Sequence, residues 1–417
     1  MSAPGTNWAG NVAYGARRVH TPLSVSQVRE LVAGSPRIRA LGSRHSFNEV
    51  ADTEGDLLSL AGLPPEVVVD AEAGTVTVAA GLRYGDLCLP LHEQGWALHN
   101  LGSLPHISVA GACATATHGS GDGNANLAAA VAALQLVTAD GDLVTLRRGD
   151  DDFAGAVVGL GAVGVVVSLT LDIVPAFDIR QEVYEGLARE TVEKRFDEIF
   201  ATAYSVSVFT DWAAPTMLAW VKRRVDEPDD WAPDQGWMGA RPADGPRHPV
   251  PGMPATYCTP QLGVPGPSYD RLPHFRLDFT PSSGEELQSE YLVPRVHGVD
   301  ALRALDRIRG RIAPVLQISE IRTVAADDLW LSAAYGGDVV GFHFTWVRDA
   351  AAVLPVLPLI EQQLAPFDAR PHWGKLFTVD PERLPELYPR LADFRELRRR
   401  YDPKNTFGNA FTDRYLG

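Results

Sequence analysis

NLGSLPHISVAGACATATHGSGDGN, residues 100–124, is the most informative segment of the chain. Small residues stand at almost every other position, and small side chains let backbone approach a ligand closely. Thr115, Thr117 and Ser120 add hydroxyl groups, so THGSG (117–121) reads as a cradle for phosphate oxygens; the plainer reading is a glycine-rich turn in a tight sheet. Upstream, LGSRHSFN (41–48) ends a strand in a turn whose N–H groups can form an anion-binding nest, with His45 inside it. Taken alone, an imidazole capping a turn accounts for that motif.

A third group lies in the second half. Glu320 and Arg322 alternate in SEIRTV, as do His343 and Thr345 in GFHFTW, so on strands each pair shares a face. Gln288 in LQSEYL and Lys375 in HWGKLF supply an amide and an ammonium. Converging on one face, these groups suit a ligand with many hydroxyls, whereas any single pair is explained by an ordinary cross-strand contact. Phe342, Phe344 and Trp346 flank His343 and Thr345 and argue that the latter face something other than bulk water.

Composition narrows the classes. The 417 residues carry a formal charge of −15, which repels phosphate backbones and anionic lipid, so nucleic acid and membrane are poor partners. The three cysteines, Cys88, Cys113 and Cys258, are widely spaced and show no CxxC, which argues against a disulfide framework or zinc site and fits a reducing cytoplasm. No metal is expected; His343 and His372 lack a supporting ligand cluster. Arg17-Arg18 precede a polar stretch rather than a signal-like apolar one. The uncharged span 153–171 contains four glycines and a β-branched run, so it reads as a loop entering a buried strand rather than a membrane helix. Within it GLGAVG (159–164) satisfies GxGxxG, but a strand follows where a dinucleotide-binding unit requires a helix. P-loop, GxSxG and HExxH motifs are absent.

The first part reads as short strands (37–41, 66–70, 75–81, 165–174), helices (24–33, 84–93) and a hairpin over 134–146. In that hairpin Asp140-Gly141 predicts a type I′ turn. Beyond Pro175 come strands over 204–212 and 218–224, then a Pro-, Gly- and Trp-rich excursion from 226 to about 273. Trp231 and Trp237 mark that excursion as a packed lid rather than a free loop. A strand within 278–294, a helix over 299–312, further strands and a helix over 353–364 follow. The tail, with DPKNTFGNAF (402–411), reads as docking back on the first part.

Taken together, the motifs resemble the vanillyl-alcohol-oxidase-type flavoproteins, and within them the bacterial alditol oxidases that act on xylitol and sorbitol. GSRHSFN, SLPHISVAG, THGSG, LQSEYL, EIRT, HFTW and PHWGK carry the resemblance along essentially the whole chain. It implies an α+β, two-domain FAD-binding fold of that type: an FAD domain over 1–176, a substrate (cap) domain on an antiparallel sheet over 177–375, and a C-terminal return over 376–417. It implies FAD joined by one 8α-histidyl bond to His45, with Cys113 taking no part. Gly42, Ser43, Arg44, Ser46, Ser103, Ser108, Gly111, Thr115, Thr117, His118, Gly119, Gly161, Gly164, Val165 and Lys375 would surround the cofactor. Arg44 stands where many members have glycine, so a left-handed backbone there would be strained. Lys375, Arg322 and Glu320 would form the catalytic group, Lys375 and Arg322 at the reacting hydroxyl and Glu320 on an adjacent one while holding Arg322, and Ser103, Gln288, His343 and Thr345 would hold the others. The implied reaction converts a terminal CH2OH to the aldehyde as O2 becomes H2O2, in a monomeric enzyme. A sugar-1,4-lactone oxidase or dehydrogenase of the same fold is the alternative, since Glu-x-Arg and His-Trp-x-Lys recur there. A non-catalytic polyol-binding protein, which would be colourless, is the rival from another class.

Overall fold

The computed structural model describes residues 4–227, 236–278 and 285–417. Two sheets with separate cores organise them. In the first, five antiparallel strands run in the order Val67–Asp70, Thr75–Ala79, Val165–Asp172, Val131–Val137, Leu143–Arg147. The strand Val165–Asp172 shows the period of two that one-sided burial requires: Val165, Val167, Leu169 and Leu171 are buried and the residues between them half-buried. A three-stranded parallel sheet (Arg18–His20, Asp56–Ser59, Ile38–Leu41) lies beside it. The hairpin forms as expected but with a different turn. Among the turn residues only Gly141 has a positive φ (84°), and its N–H donates to Thr138 O while Thr138 N donates to Asp142 O. That is a three-residue connection closed by a left-handed glycine rather than a type I′ turn, which needs two positive angles.

The second sheet is antiparallel and larger. Its central strands lie in the order Asp178–Ala188, Thr216–Arg224, Ser205–Thr210, Leu316–Val324, Val339–Val347, Glu286–Pro294. One face presents Val206, Val208, Ile321, Val340, Phe342, Phe344 and Trp346 to the helices Gly298–Arg307 and Leu357–Leu364, which supply Leu302, Leu305, Ile360 and Leu364. The predicted helix over 299–312 breaks at Ile308, where a second short helix, Arg309–Ile312, begins. The apolar span Ala350–Phe367 has the length and composition of a membrane helix, but it is interrupted between Val353 and Leu357, and its Val353, Val356, Leu357, Ile360 and Leu364 pack into this core. Of the excursion, Trp237 is buried against Tyr184 at 5.4 Å, whereas Trp231 and 279–284 lie outside the described residues.

The C-terminal stretch packs with the first core: Leu384, Tyr388, Phe394, Leu397, Phe407 and Tyr415 join Leu134, Val157 and Leu169 in one cluster. Its anchor is Asn409. The side-chain oxygen accepts from Thr412 N at 2.8 Å and its own N–H donates to Thr412 Oγ1, a reciprocal cap on the helix Ala410–Leu416. Its amide Nδ2 meanwhile donates to the carbonyls of Glu49, Val50 and Asp52 at 3.0, 3.2 and 2.7 Å. Asn409→Ala removes both the cap and the cross-link, so it is expected to destabilise the protein by roughly 2–3 kcal/mol. The measurement is a lower urea midpoint at unchanged m-value.

Candidate active site

A cavity of about 460 Å³ runs between the two sheets. At one end the lining is small and mostly apolar: Gly42, Gly102, Ala110, Gly111, Ala114, Gly159, Gly161 and Gly164. At the other it is charged, with Glu286, Gln288, Glu320, Arg322, His343, Thr345 and Lys375. Period two explains the charged end. The residues alternating with the core-facing set must point the other way, and register aligns them in rows across the sheet. Phe209 pairs with Glu320, Glu320 with His343, and His343 with Glu290; Gln288 pairs with Thr345.

The groups are tightly connected. His343 Nε2 lies 3.0 Å from Gln288 Oε1, and Gln288 Nε2 donates to Glu286 at 2.6 Å. Arg322 donates to Ser103 Oγ at 3.3 Å, and its Nε lies 3.6 Å from Glu320 Oε1. Beneath them sits Glu290, fully buried. It accepts from Lys375 Nζ at 2.6 Å and Arg322 Nη2 at 3.1 Å, with His118 Nε2 3.2 Å away. Burial works to raise the Glu290 carboxyl, but Lys375, His118 and Arg322 outweigh it and hold it well below the usual carboxylate range. Glu320 behaves alike, with Arg322 and His274 overcoming burial. Burial pulls the Lys375 ammonium down, and Glu290 opposes the shift.

His45 sits on the turn joining the two ends. The turn is strapped from the N-terminal side: Trp8 N donates to Arg44 O at 2.8 Å, Asn7 Nδ2 to Ser46 O at 2.9 Å and Asn11 Nδ2 to Phe47 O at 2.8 Å. The Trp8 ring stacks on the imidazole, centroids 5.4 Å apart. Arg44 does adopt a left-handed backbone, φ 66°, and its side chain compensates: it bonds Pro4 O and lies over the Tyr14 ring. Burial, with His106 adding to it, lowers the His45 imidazole to about 4, so the ring is neutral, and Nδ1 is buried without a hydrogen-bond partner.

The lining fits FAD. A Cβ added to Gly42 or Gly111 would come within 2.7 Å of Ser108 Oγ, so a larger residue at either place would displace that hydroxyl from the cradle. Ser43, Ser108, Thr115 and Thr117 bring hydroxyls to it, and the neutral imidazole of His45 stands at its edge with Nδ1 unpartnered. Cys113 also lines the cavity, but burial pushes its thiol up to about 12, leaving it unreactive.

Most of the residues expected around the cofactor line the cavity: Gly42, Ser43, Arg44, His45, Ser46, Ser103, Ser108, Gly111, Thr115, Thr117, His118, Gly161, Gly164 and Lys375. Gly119 and Val165 do not. Gly119 packs against Asn100, where a Cβ would lie 2.6 Å from the amide, and Val165 is a core residue of its strand. THGSG is correspondingly divided. Thr117 and His118 face the cavity, while Ser120 Oγ donates to Val206 O and Gly121 N to Thr323 O at 2.9 Å, docking the loop on the second sheet. Glu290 and His274 were not singled out in the sequence. Glu290 is two residues from Gln288 on one strand, so alternation carried the signal; nothing local marks His274.

The chain is 52% identical over 415 residues to an alditol oxidase of Streptomyces sp., covering 99% of this chain and 98% of that protein. The chain belongs to the alditol oxidase family. Family models described as FAD binding domain and D-arabinono-1,4-lactone oxidase match residues 16–147 and 284–415 of this alditol oxidase family member, marking it as an FAD-dependent oxidoreductase. An L-gulono-1,4-lactone dehydrogenase of Mycobacterium tuberculosis is 31% identical over the full length of both chains. Among solved structures, cholesterol oxidase from B. sterolicum shares the fold, with TM-score 0.80 at 16% identity over all of this chain and 97% of the other.

Glu290 compensates two cations, so Glu290→Gln is expected to destabilise the fold by about 3 kcal/mol. Adding Lys375→Met should recover part of that loss, because one uncompensated cation is removed with it. Urea unfolding of the two variants measures both effects, and strict additivity would contradict the pairing.

Proposed function

We propose that this FAD-dependent oxidoreductase converts the terminal primary alcohol of an alditol, xylitol or sorbitol, to the aldose, with O2 reduced to H2O2. The observation carrying this reading is the row of polar groups at one cavity end: Gln288, Glu320, Arg322, His343 and Thr345 on a single sheet face, with Lys375 reaching them from the turn beside it. An acyclic polyol presents a hydroxyl on every carbon, and such a row offers alternating donors and acceptors to match. When bound, FAD takes the two electrons of the alcohol and passes them to O2.

The residues supply position and charge. Lys375 and Arg322, cations over the buried Glu290, stabilise negative charge as the reacting hydroxyl loses its proton. Glu320 accepts from a neighbouring hydroxyl. Gln288, His343, Thr345 and Ser103 hold the remainder of the chain, which lowers the entropy cost of reaction. His248, Val250, Met253 and Tyr257 of the excursion, with Phe275 just after it, line the cavity. Most of each core favours an FAD-binding part over 1–176 with 376–417 returning to it and a substrate part over 177–375, with Leu329, Trp330, Leu331 and Trp373 crossing into the first core and Phe47 into the second. Three buried, unpaired cysteines support a cytoplasmic location.

Peroxide release in air from xylitol and sorbitol, compared with L-gulono-1,4-lactone, tests the reading. Peroxide mainly from the polyols is expected, and peroxide mainly from the lactone would reassign the substrate. We propose further that His45 carries the flavin covalently. After acid precipitation the flavin should stay with the wild-type polypeptide and be released from His45→Ala; free flavin from both would reject the linkage.

A further inference from the structure

Behind Glu320 lies a second line of buried ionisable groups that none of the roles above uses. Lys222 stands on the strand Thr216–Arg224, on the face alternating with the core residues Ala219 and Val221. It is 1% exposed, and no carboxylate among the described residues forms an ion pair with it. Its ammonium reaches three acceptors: Leu272 O at 2.5 Å, Pro273 O at 3.3 Å and His274 Nδ1 at 3.2 Å. Burial lowers the Lys222 ammonium to about 7, with Glu320 opposing the shift, and the two carbonyls, which can only accept, favour the form with three hydrogens. His274 Nε2 in turn lies 2.8 Å from Glu320 Oε1. Burial lowers the His274 imidazole to about 4, so the ring is neutral and has one proton to place. Were that proton on Nδ1, it would confront the ammonium while the Nε2 lone pair faced the Glu320 carboxylate. On Nε2, both contacts become hydrogen bonds.

The surroundings hold this geometry. Trp220 and Phe209 pack edge-on against the imidazole at 5.0 and 5.7 Å. His274 N donates to Ser103 O at 3.0 Å, the same residue whose hydroxyl accepts from Arg322. His274 therefore ties the excursion, the FAD-side loop and the substrate row together at one point.

We propose that Lys222 and His274 are positioning residues for the polyol: Lys222 fixes the ring proton of His274 on Nε2, and that N–H holds Glu320 as an oriented, ionised acceptor for a substrate hydroxyl. The inference rests on the polyol reading of the cavity. Its consequence is specific. Losing the relay weakens polyol binding more than it slows the chemistry, because Glu320 contacts a hydroxyl beside the reacting one.

The test uses the holoenzyme and its Lys222→Met, His274→Leu and His274→Gln variants. Anaerobic flavin reduction by xylitol gives a dissociation constant and a limiting rate for each. Losing a hydrogen bond to a charged group should raise the dissociation constant roughly tenfold or more in Lys222→Met and His274→Leu. His274→Gln, which can still donate from the same place, should stay within about threefold of wild type, and limiting rates should change less than binding. Nitrogen-15 NMR of the imidazole should show the Nε2-protonated tautomer in wild type and a smaller share of it in Lys222→Met, where the Glu320 carboxylate alone selects it. A His274→Gln as impaired as His274→Leu, unchanged binding in Lys222→Met, or an Nδ1-protonated wild-type ring would each overturn the proposal. The NMR arm decides even where a variant fails to fold. A wild-type flavin that xylitol does not reduce rejects the polyol reading, while the tautomer still decides the relay.

Discussion

A buried carboxylate with three cationic or imidazole neighbours is the constraint on which the site depends. Glu290 has no access to water, so its charge must be compensated inside the protein or the fold must bear a large desolvation cost. The compensation comes from different parts of the chain: His118 from the glycine-rich loop, Arg322 from a neighbouring strand and Lys375 from the segment re-entering the first core. Satisfying one carboxylate therefore brings the two sheets together at the place where a substrate can bind. It also leaves two cations, half neutralised from below, facing the cavity from above.

The same junction is tied through backbone. Asn48 Nδ2 donates to the carbonyls of Trp373 and Lys375, both at 2.8 Å, and Phe47 N donates to Gly374 O at 2.8 Å. The turn holding His45 and the turn holding Lys375 are thus one hydrogen-bonded unit, although far apart in sequence. Arg39 does similar work behind the glycine loop. Its buried guanidinium donates to the carbonyls of Val50 and Leu160 at 2.6 Å and to that of Phe407. Cofactor end and substrate end are consequently positioned by contacts that belong to neither ligand, which is how a preorganised site keeps its geometry before binding.

Where local physics dominates, the sequence was legible. The helix Tyr84–Glu93 and the strand Val165–Asp172 form where pattern predicted them, and the alternation in SEIRTV and GFHFTW put the polar residues on one face with Phe342, Phe344 and Trp346 on the other. Local readings failed where neighbours intervened. The helix over 299–312 breaks at Ile308, and a bulk reading of THGSG as phosphate cradle missed that Ser120 and Gly121 are consumed in docking to Val206 and Thr323. The turn at Gly141 took one left-handed residue instead of two because a longer connection relieves Asp140 of a positive φ.

By itself the sequence determined the chemistry available: an imidazole in a small-residue turn, glycine-rich segments, carboxylate, guanidinium and amide at strand spacing, and an ammonium in a turn. Those follow from residue type and from periods of two, which are local properties. Only the tertiary structure decided which charges meet. Glu290 could have been any strand carboxylate, and Lys222 and His274 lie in segments with no shared motif. Their roles arise from cross-strand register and from burial, and both are set by contacts between residues that the chain itself keeps far apart.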